Sequence, residues 1–251
     1  MQDRYSADVG DFGKFHLLRY ILLNSSYNLS QIWYMYPDES HNNDGLYINY
    51  FERVKDMDIE LEEKFKEISQ RNRNVKALEN SNLLTNTKYF GSLVNENNKD
   101  DLEYRKSWLQ KAEDFSKNSD FIAVDPDNGI ATKLIKIDET KDISLQNFDD
   151  FKSKTKAGKY IFSEEIKSLY NNTKCLIIYH HLNRTMAHDK QVELLKEKLE
   201  DKYKKVLAIK HKPYSPRVYF FVCSDEKIYE FLKEKLKEFE SSFSIHWKLF
   251  L

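Results

Sequence analysis

Continuous apolar runs alternate with amphipathic segments along the chain, and the two patterns predict strands and helices. The runs are short, rich in β-branched and aromatic residues and bounded by turn residues, as buried strands are. They cover residues 31–36, 87–90, 120–124, 175–179, 206–209 and 218–223. Apolar residues at helical spacing cover residues 15–23, 46–74, 99–117, 163–170, 190–203 and 226–240. This order of elements predicts an α/β protein.

The apolar strands predict a mainly parallel sheet with helices on both faces, because a strand that is covered on both faces has no polar side. Residues 243–249 differ, since Phe243, Ile245, Trp247 and Leu249 alternate with polar residues. That alternation predicts an antiparallel strand at the C-terminal edge. We expect a single Rossmann-like domain over residues 1–251, in which the polar segment 138–157 covers a cleft.

Charge and composition narrow the class of protein. The 40 Lys plus Arg residues against 41 Asp plus Glu give a net charge of -1, so no overall basic field attracts nucleic acid or a membrane. A nucleic acid would have to bind through a local patch. No window approaches the roughly 20 apolar residues of a membrane span, and Cys175 and Cys223 lie in apolar runs, which favours reduced thiols. We expect a soluble cytoplasmic protein without membrane contact; a partner protein or a homo-oligomer stays open.

Residues with acid–base or ligand chemistry follow several predicted strands. They are Asp38 and Glu39 after residues 31–36, Asp125 and Asp127 after residues 120–124, and His181 after residues 175–179. Ligands of open α/β sheets bind outside the carboxyl ends of the strands, so we expect these side chains to converge. Asp11 and Lys14, just before the first predicted helix, are expected at the same edge and join the catalytic candidates. The alternative is that the loop acids cap helices and solvate turns.

Asp125 and Asp127 carry the strongest chemical signal. Two carboxylates at the end of a buried strand repel each other unless a cation or donors compensate them. Mg²⁺ or Mn²⁺ would suit, because hard cations take oxygen ligands and leave room for a substrate phosphate. We therefore expect Asp125 and Asp127 to be metal ligands, with Asp38 or Glu39 completing the shell. The alternative is an Asx-type turn into Gly129.

Basic residues complete the candidate site. His181 is expected to act as an acid or base, and Lys14 and Arg184 are expected to stabilise the charge of a phosphate in transfer. Further along the chain, Lys212, Tyr214 and Arg217 form a basic and aromatic loop between two predicted strands. This composition predicts a grip on the backbone of a nucleic acid, with a plain solvated turn as the alternative.

Several motifs resemble known families. GDFGKFHLLR (residues 10–19), VDPDNG (124–129) and YHHLNR (179–184) resemble an uncharacterised bacterial family of small α/β proteins. In order of elements, the chain is also similar to the bacterial large-subunit ribosomal RNA adenine-N6 methyltransferases. That resemblance implies a methyltransferase-like fold that binds S-adenosylmethionine at a glycine-rich loop and holds the target amino group at an Asp-Pro-Pro-Tyr motif. Asp125 and Pro126 match this motif, Asp127 and Asn128 depart from it, and Gly45 is the glycine nearest the first strand.

The sequence favours a divalent-metal-dependent phosphodiesterase, a nuclease acting in bacterial defence, because carboxylates, His and Arg gather at one sheet edge. One alternative is an S-adenosylmethionine-dependent adenine methyltransferase of nucleic acid, active or decayed. Another is a non-catalytic interaction subunit. If Asp125 and Asp127 lack compensating charge, the substitution Asp127→Asn should leave the metal-free stability equal or higher.

Overall fold

A seven-stranded sheet forms the centre of the computed structural model. The structure describes residues 1–39, 45, 48–55, 57–95, 100–136, 139–142, 148, 156–213 and 216–251, with the side chains of 133–142 excluded. Within these ranges the strands are β1 (Leu29–Trp33), β2 (Thr87–Phe90), β3 (Phe121–Asp125), β4 (Gly129–Ile130), β5 (Thr132–Lys136), β6 (Glu139–Asp142), β7 (Tyr160–Ile161), β8 (Cys175–His181), β9 (Val206–His211), β10 (Arg217–Cys223) and β11 (Trp247–Phe250). The pairs β4–β7 and β5–β6 lie outside the central sheet.

Helices connect most strands of the central sheet. They are α1 (Val9–Leu22), α2 (Ile59–Arg71), α3 (Val75–Glu79), α4 (Leu102–Ser116), α5 (Ser163–Asn171), α6 (His188–Tyr203) and α7 (Glu226–Ser242). None of these helices, which come from the described ranges, is both long and apolar enough to span a membrane.

The strand order of the central sheet is β11-β9-β10-β8-β3-β1-β2. Strands β2, β1, β3 and β8 run parallel, whereas β10 is antiparallel to both β8 and β9. Strand β11 is an antiparallel edge strand beside β9, as predicted. It begins at Trp247 and not at Phe243, because residues 243–246 form the turn that follows α7. The α/β fold with a mainly parallel sheet is therefore confirmed. Because β2 and β3 lie on opposite sides of β1, the strand order reverses there and creates a switch point.

Two apolar layers cover the sheet, one on each face. Alternate residues of β3 point to opposite layers: Phe121 packs in the layer with α1, α2 and α7, and Ile122 packs in the layer with α4, α5 and α6. Because both faces of the sheet are covered, every position along β3 is buried, and residues 121–124 are a continuous apolar run in the sequence. Burial of each large apolar side chain stabilises the fold by about 1.5–3 kcal/mol.

Helix α1 begins six residues earlier than its apolar run predicts. The Asp8 carboxylate caps its N-terminus by accepting hydrogen bonds from the backbone N–H groups of Gly10 and Asp11. The expected single helix over residues 46–74 is wrong: a short 3-10 turn at Phe51–Arg53 precedes α2, which is capped by Asp58. Most of the segment 138–157 lies outside the described residues. The expectation that this segment covers a cleft therefore stays a prediction.

Candidate functional site

A cleft of about 390 Å³ opens at the carboxyl ends of β1, β3 and β8. Its floor lies at the switch point, because Trp33 at the end of β1 pairs with Asp125 at the end of β3. Small-molecule sites commonly enclose roughly 300–1,000 Å³. The cleft is therefore of a size for a small ligand and lies where open α/β sheets bind one.

Most of the residues that the sequence singles out line this cleft. They are Asp11, Lys14, Glu39, Asp125, Asp127, His181 and Arg217. Asp38 and Arg184 are instead exposed outside it. Asp38 accepts a hydrogen bond from the Arg4 backbone, and Lys212, which follows β9, donates to the Ser244 carbonyl. The expected convergence of Asp38 and Arg184 in this cleft is therefore wrong. The predicted contact of Lys212 with nucleic acid stays a prediction, and Tyr214 lies outside the described residues.

Lys14 joins two carboxylates at the floor of the cleft. Its Nζ lies 2.7 Å from Asp11 Oδ1 and 2.8 Å from Asp125 Oδ2, and it also lies over the Trp33 ring at 4.8 Å. Burial lowers the pKa of Lys14, but the two carboxylates outweigh burial and raise it above its usual value. Burial raises the pKa of Asp11 to about 6, although Lys14 acts in the opposite direction. Lys14 therefore remains charged, and Asp11 can exchange a proton near neutral pH.

Asp127 is compensated by other cations. Its Oδ1 lies 2.5 Å from the α-amino group of Met1, and its Oδ2 lies 3.3 Å from Lys159 Nζ. The Gln2 side-chain amide donates a further hydrogen bond to Oδ2 at 3.2 Å. The expectation that Asp125 and Asp127 lack compensating charge is therefore wrong, because Lys14 pairs with Asp125 and two ammonium groups pair with Asp127.

The charges that line the cleft balance. Among the described residues the lining contains five carboxylates and five cationic groups. The carboxylates belong to Asp8, Asp11, Glu39, Asp125 and Asp127, and the cations are the Met1 amine, Lys14, Lys156, Lys159 and Arg217. In the part of the chain that the structure describes, no group of three or more His, Cys, Asp or Glu side chains is arranged to hold a metal ion. The cleft is thus strongly polar but close to neutral.

Glu39 occupies the rim between two lysines. Its carboxylate pairs with Lys156 and, at 2.7 Å, with Lys159. Burial acts to raise the pKa of Glu39, but the hydrogen bonds from the two lysines lower it to about 2. Lys159 bridges Glu39 and Asp127, so it connects the rim to the floor of the cleft.

The two histidines at the end of β8 have different environments. His180 is buried, and its Nδ1 accepts a hydrogen bond from the Ile130 backbone at 3.0 Å. Burial, with a smaller effect of His181, lowers the pKa of His180 to about 3. Gly129 adopts a φ of +94° beside it, where a Cβ would overlap the imidazole. His180 is therefore a neutral structural residue, and His181 is the histidine that lines the cleft.

Arg217 belongs to the cleft and not to an exposed loop. It is the first residue of β10 and lies opposite His181 of β8 and His211 of β9. The side chain is buried against α1, where a Cβ on Gly10 would overlap the guanidinium. The predicted surface patch of Lys212, Tyr214 and Arg217 is therefore corrected: Arg217 and Lys212 do not form one exposed patch.

Sequence reasoning missed several residues of the lining. Tyr5 and Tyr179 contribute aromatic walls, and Lys159 contributes the bridging ammonium. The sequence signal for Lys159 is the segment GKYIFSEEI (residues 158–166), in which the preceding Gly158 packs closely against Tyr36. Tyr5 precedes the first helix without any motif that marks it, so only the tertiary structure identifies it.

The sheet and the cleft define an α/β protein with a ligand-sized site at its switch point. No family model matches the chain, and no curated protein matches it either. The crystal structure of protein LPL1258 from Legionella pneumophila, assigned to DUF519, is similar with a TM-score of 0.44 and 10% sequence identity, over 97% of this chain and 95% of that chain.

Proposed function

We propose that the cleft binds S-adenosylmethionine and that the protein is an adenine methyltransferase of nucleic acid. The observation that carries the proposal is the balanced charge of a ligand-sized cleft at the switch point. S-Adenosylmethionine carries an ammonium, a carboxylate and a sulfonium, so it needs partners of both signs. A lining of five carboxylates and five cations offers both.

Gly45 lies where such a cofactor would approach the backbone. Gly45 lines the cleft with a φ of +83°, and a Cβ there would lie 2.5 Å from the Arg4 carbonyl oxygen. Only glycine allows this close approach of two backbone segments. The methyltransferase resemblance implies a glycine-rich loop after the first strand. This chain departs from it, because Gly45 is the single glycine near that strand. Tyr5 and Tyr179 add aromatic surface against which a flat ring can pack.

The chain's own residues can orient a target amino group and accept its proton. Bound S-adenosylmethionine would supply an electrophilic methyl group. Asp125 ends β3 directly before Pro126, as the Asp-Pro pair of the resemblance implies, and Lys14 fixes its carboxylate. Asp11, whose pKa is raised to about 6 by burial, lies on the other side of Lys14 and can accept a proton near neutral pH.

The metal-dependent nuclease loses its main argument. That hypothesis starts from repulsion between Asp125 and Asp127, and the structure pairs Asp125 with Lys14 and Asp127 with Lys159 and the Met1 amine. A phosphodiesterase would also need its metal ligands to exchange these ammonium partners for a metal. The methyltransferase needs no such exchange, so it is the function that these contacts favour.

Calorimetry with S-adenosylmethionine and its demethylated product S-adenosylhomocysteine tests the proposal. We expect one site per chain and, at about 100-fold excess over Kd, a stabilisation of about 2.7 kcal/mol against unfolding. Asp125→Asn should weaken binding, because it removes a charge from the floor of the cleft. The matched control is Asp114→Asn, since Asp114 lies on the exposed side of α4, where it pairs with Lys117.

Transfer of a labelled methyl group to RNA or DNA then tests the reaction. Binding without transfer to any nucleic acid would indicate a protein that keeps the cofactor site but not the activity. Absence of binding, together with Mn²⁺-dependent cleavage of RNA or DNA, would replace the proposal with the nuclease. Absence of both would favour the interaction subunit.

A further inference from the structure

Arg73, which lies outside the cleft, binds three backbone carbonyl groups. Its Nε donates to the Ser6 carbonyl at 3.1 Å, and its Nη2 donates to the carbonyls of Arg4 and Gly45, each at 2.6 Å. The residue precedes α3 and is half-buried. A guanidinium carries five N–H donors in a fixed planar fork, so it can hold several carbonyls in one arrangement.

The three carbonyls belong to two different walls of the cleft. Arg4 and Ser6 flank Tyr5, which lines the cleft in the segment that enters α1. Gly45 lines it from the segment after β1. Because one nitrogen of Arg73 binds both Arg4 and Gly45, the guanidinium fixes the distance between these walls.

The segment that enters α1 has further anchors beside Arg73. The Asp3 carboxylate accepts a hydrogen bond from the Val75 backbone at 2.8 Å, and the Ala7 carbonyl accepts one from the Tyr50 hydroxyl at 3.2 Å. Ala7 itself adopts a φ of +58°, which is unfavourable for a residue with a Cβ. A strained conformation persists only where its surroundings hold it, so this wall depends on its anchors.

We propose that Arg73 is a positioning residue, which sets the separation of Tyr5 and Gly45 and thereby the shape of the cleft. The three hydrogen bonds of Arg73 go to backbone carbonyl groups of the two walls and not to side chains that line the cleft. The role concerns the walls themselves, so it holds for whichever ligand the cleft binds.

Backbone amide exchange, measured by NMR on the ligand-free protein, tests this role in Arg73→Ala. The amides of Tyr5, Ser6 and Asp8 are bonded within the segment and report on its order. We expect their exchange to accelerate by about tenfold or more, since hydrogen bonds to a charged donor are lost. The amides of Ile177 and Phe221 in the central sheet should not change. Guanidinium ion at millimolar concentration should restore slow exchange, because it can fill the vacated site.

Arg71→Ala is the matched control, because Arg71 is two residues away and its side chain is 78% exposed, paired with Glu67. Equal exchange in Arg73→Ala and the wild type would overturn the role, and so would acceleration spread evenly over the sheet. If Arg73→Ala does not fold, Arg73→Lys decides: its single ammonium cannot span the three carbonyls, so wild-type exchange there would overturn the role.

Ligand affinity gives a second test, because a residue that only stabilises the fold would not change the Kd of a folded variant. If the wild type binds S-adenosylhomocysteine, its Kd should rise by about tenfold in Arg73→Lys at nearly unchanged melting temperature. An unchanged Kd would overturn the role of Arg73 in the cleft. If the wild type binds no S-adenosylhomocysteine, the proposed function fails, and amide exchange alone still decides on Arg73.

Discussion

The Arg105–Glu165 pair and the Lys14 group are both buried charges on helices that flank the sheet, but their surroundings differ. Arg105 Nε lies 2.6 Å from Glu165 Oε1, and the side chains are 1% and 0% exposed. The rings of Tyr34 and Trp108 lie 4.7 Å and 4.9 Å from the guanidinium. This pair joins α4 to α5 and does not line the cleft.

Lys14, in contrast, faces two carboxylates and forms part of the cleft. In the Arg105–Glu165 pair, one cation neutralises one carboxylate, so the pair adds no net charge to the apolar layer. Lys14 is instead shared between Asp11 and Asp125, and the other cations that line the cleft balance the second carboxylate. The comparison teaches that both charged groups are buried and balanced, but only the candidate site shares its cations among several carboxylates along a cleft.

Breaking the structural pair should have the largest effect. Arg105→Met leaves Glu165 as an uncompensated buried charge, so we expect the free energy of unfolding to fall by about 3–5 kcal/mol. Urea denaturation measures this loss. Ligand binding by the folded fraction should not change. A loss below about 1 kcal/mol would contradict the view that the pair stabilises the contact of α4 with α5.

Breaking the Lys14 group should cost less and should depend on pH. Lys14→Met leaves Asp11 and Asp125 without their cation, and we expect a loss of about 2–3 kcal/mol at pH 8. Burial already raises the pKa of Asp11 above its unfolded value, and loss of Lys14 removes the cation that opposes this shift, so protonation at pH 5 should recover part of the loss. Urea denaturation at pH 8 and at pH 5 measures the two losses. The control is Lys106→Met, because Lys106 lies on the exposed side of α4. A penalty independent of pH would contradict the expectation.

His180 is buried and neutral, unlike the two charged groups, and it should make the free energy of unfolding of the wild type depend on pH. The pKa of His180 is lowered by burial from 6.5 to about 3 in the folded state, so the unfolded state binds more protons below pH 6.5. Stability at this residue is therefore lost as pH falls, by about 1.4 kcal/mol per unit. His180→Asn should make the pH profile shallower between pH 6.5 and pH 4. Equal slopes in the wild type and His180→Asn would contradict the assignment.

Asp127→Asn should have the smallest effect on the free energy of unfolding. The sign of this change tests whether cations compensate the charge of Asp127. Because Asp127 pairs with Lys159 and the Met1 amine, we expect the substitution to lower the free energy of unfolding by about 1 kcal/mol. The sequence alone predicts equal or higher stability. Thermal unfolding at pH 7 distinguishes the two, and a raised melting temperature would restore the hypothesis of uncompensated carboxylates.

The sequence predicts the strands better than the partners of its charged residues. Strand β2 occupies residues 87–90 as predicted, and β3 and β8 end at the residues that the cleft uses, because burial of continuous apolar runs is a local signal. The start of α1 was not predictable in the same way. Gly10 and Gly13 are weak helix formers, yet both lie within α1, since Asp8 supplies the cap before them.

Pairings across the fold explain what the sequence could not show. Lys14 is 111 residues from Asp125 along the chain, and no local pattern links them. Arg184 lies only three residues after β8 and yet is exposed outside the cleft, because the chain turns away toward α6. Arg73 has no motif at all, since its three acceptors are backbone carbonyls that any sequence provides.

The two glycines of α1 bear on how this protein could be engineered. Replacing glycine by alanine within a helix is a common route to higher thermostability, with a gain of about 1 kcal/mol per site. Here a methyl group on Gly13 would lie 2.8 Å from the buried His211 ring, and one on Gly10 would overlap the Arg217 guanidinium. Alanine at these two positions would therefore displace the buried His211 ring and the Arg217 side chain that lines the cleft, so we expect a loss of stability in place of the usual gain.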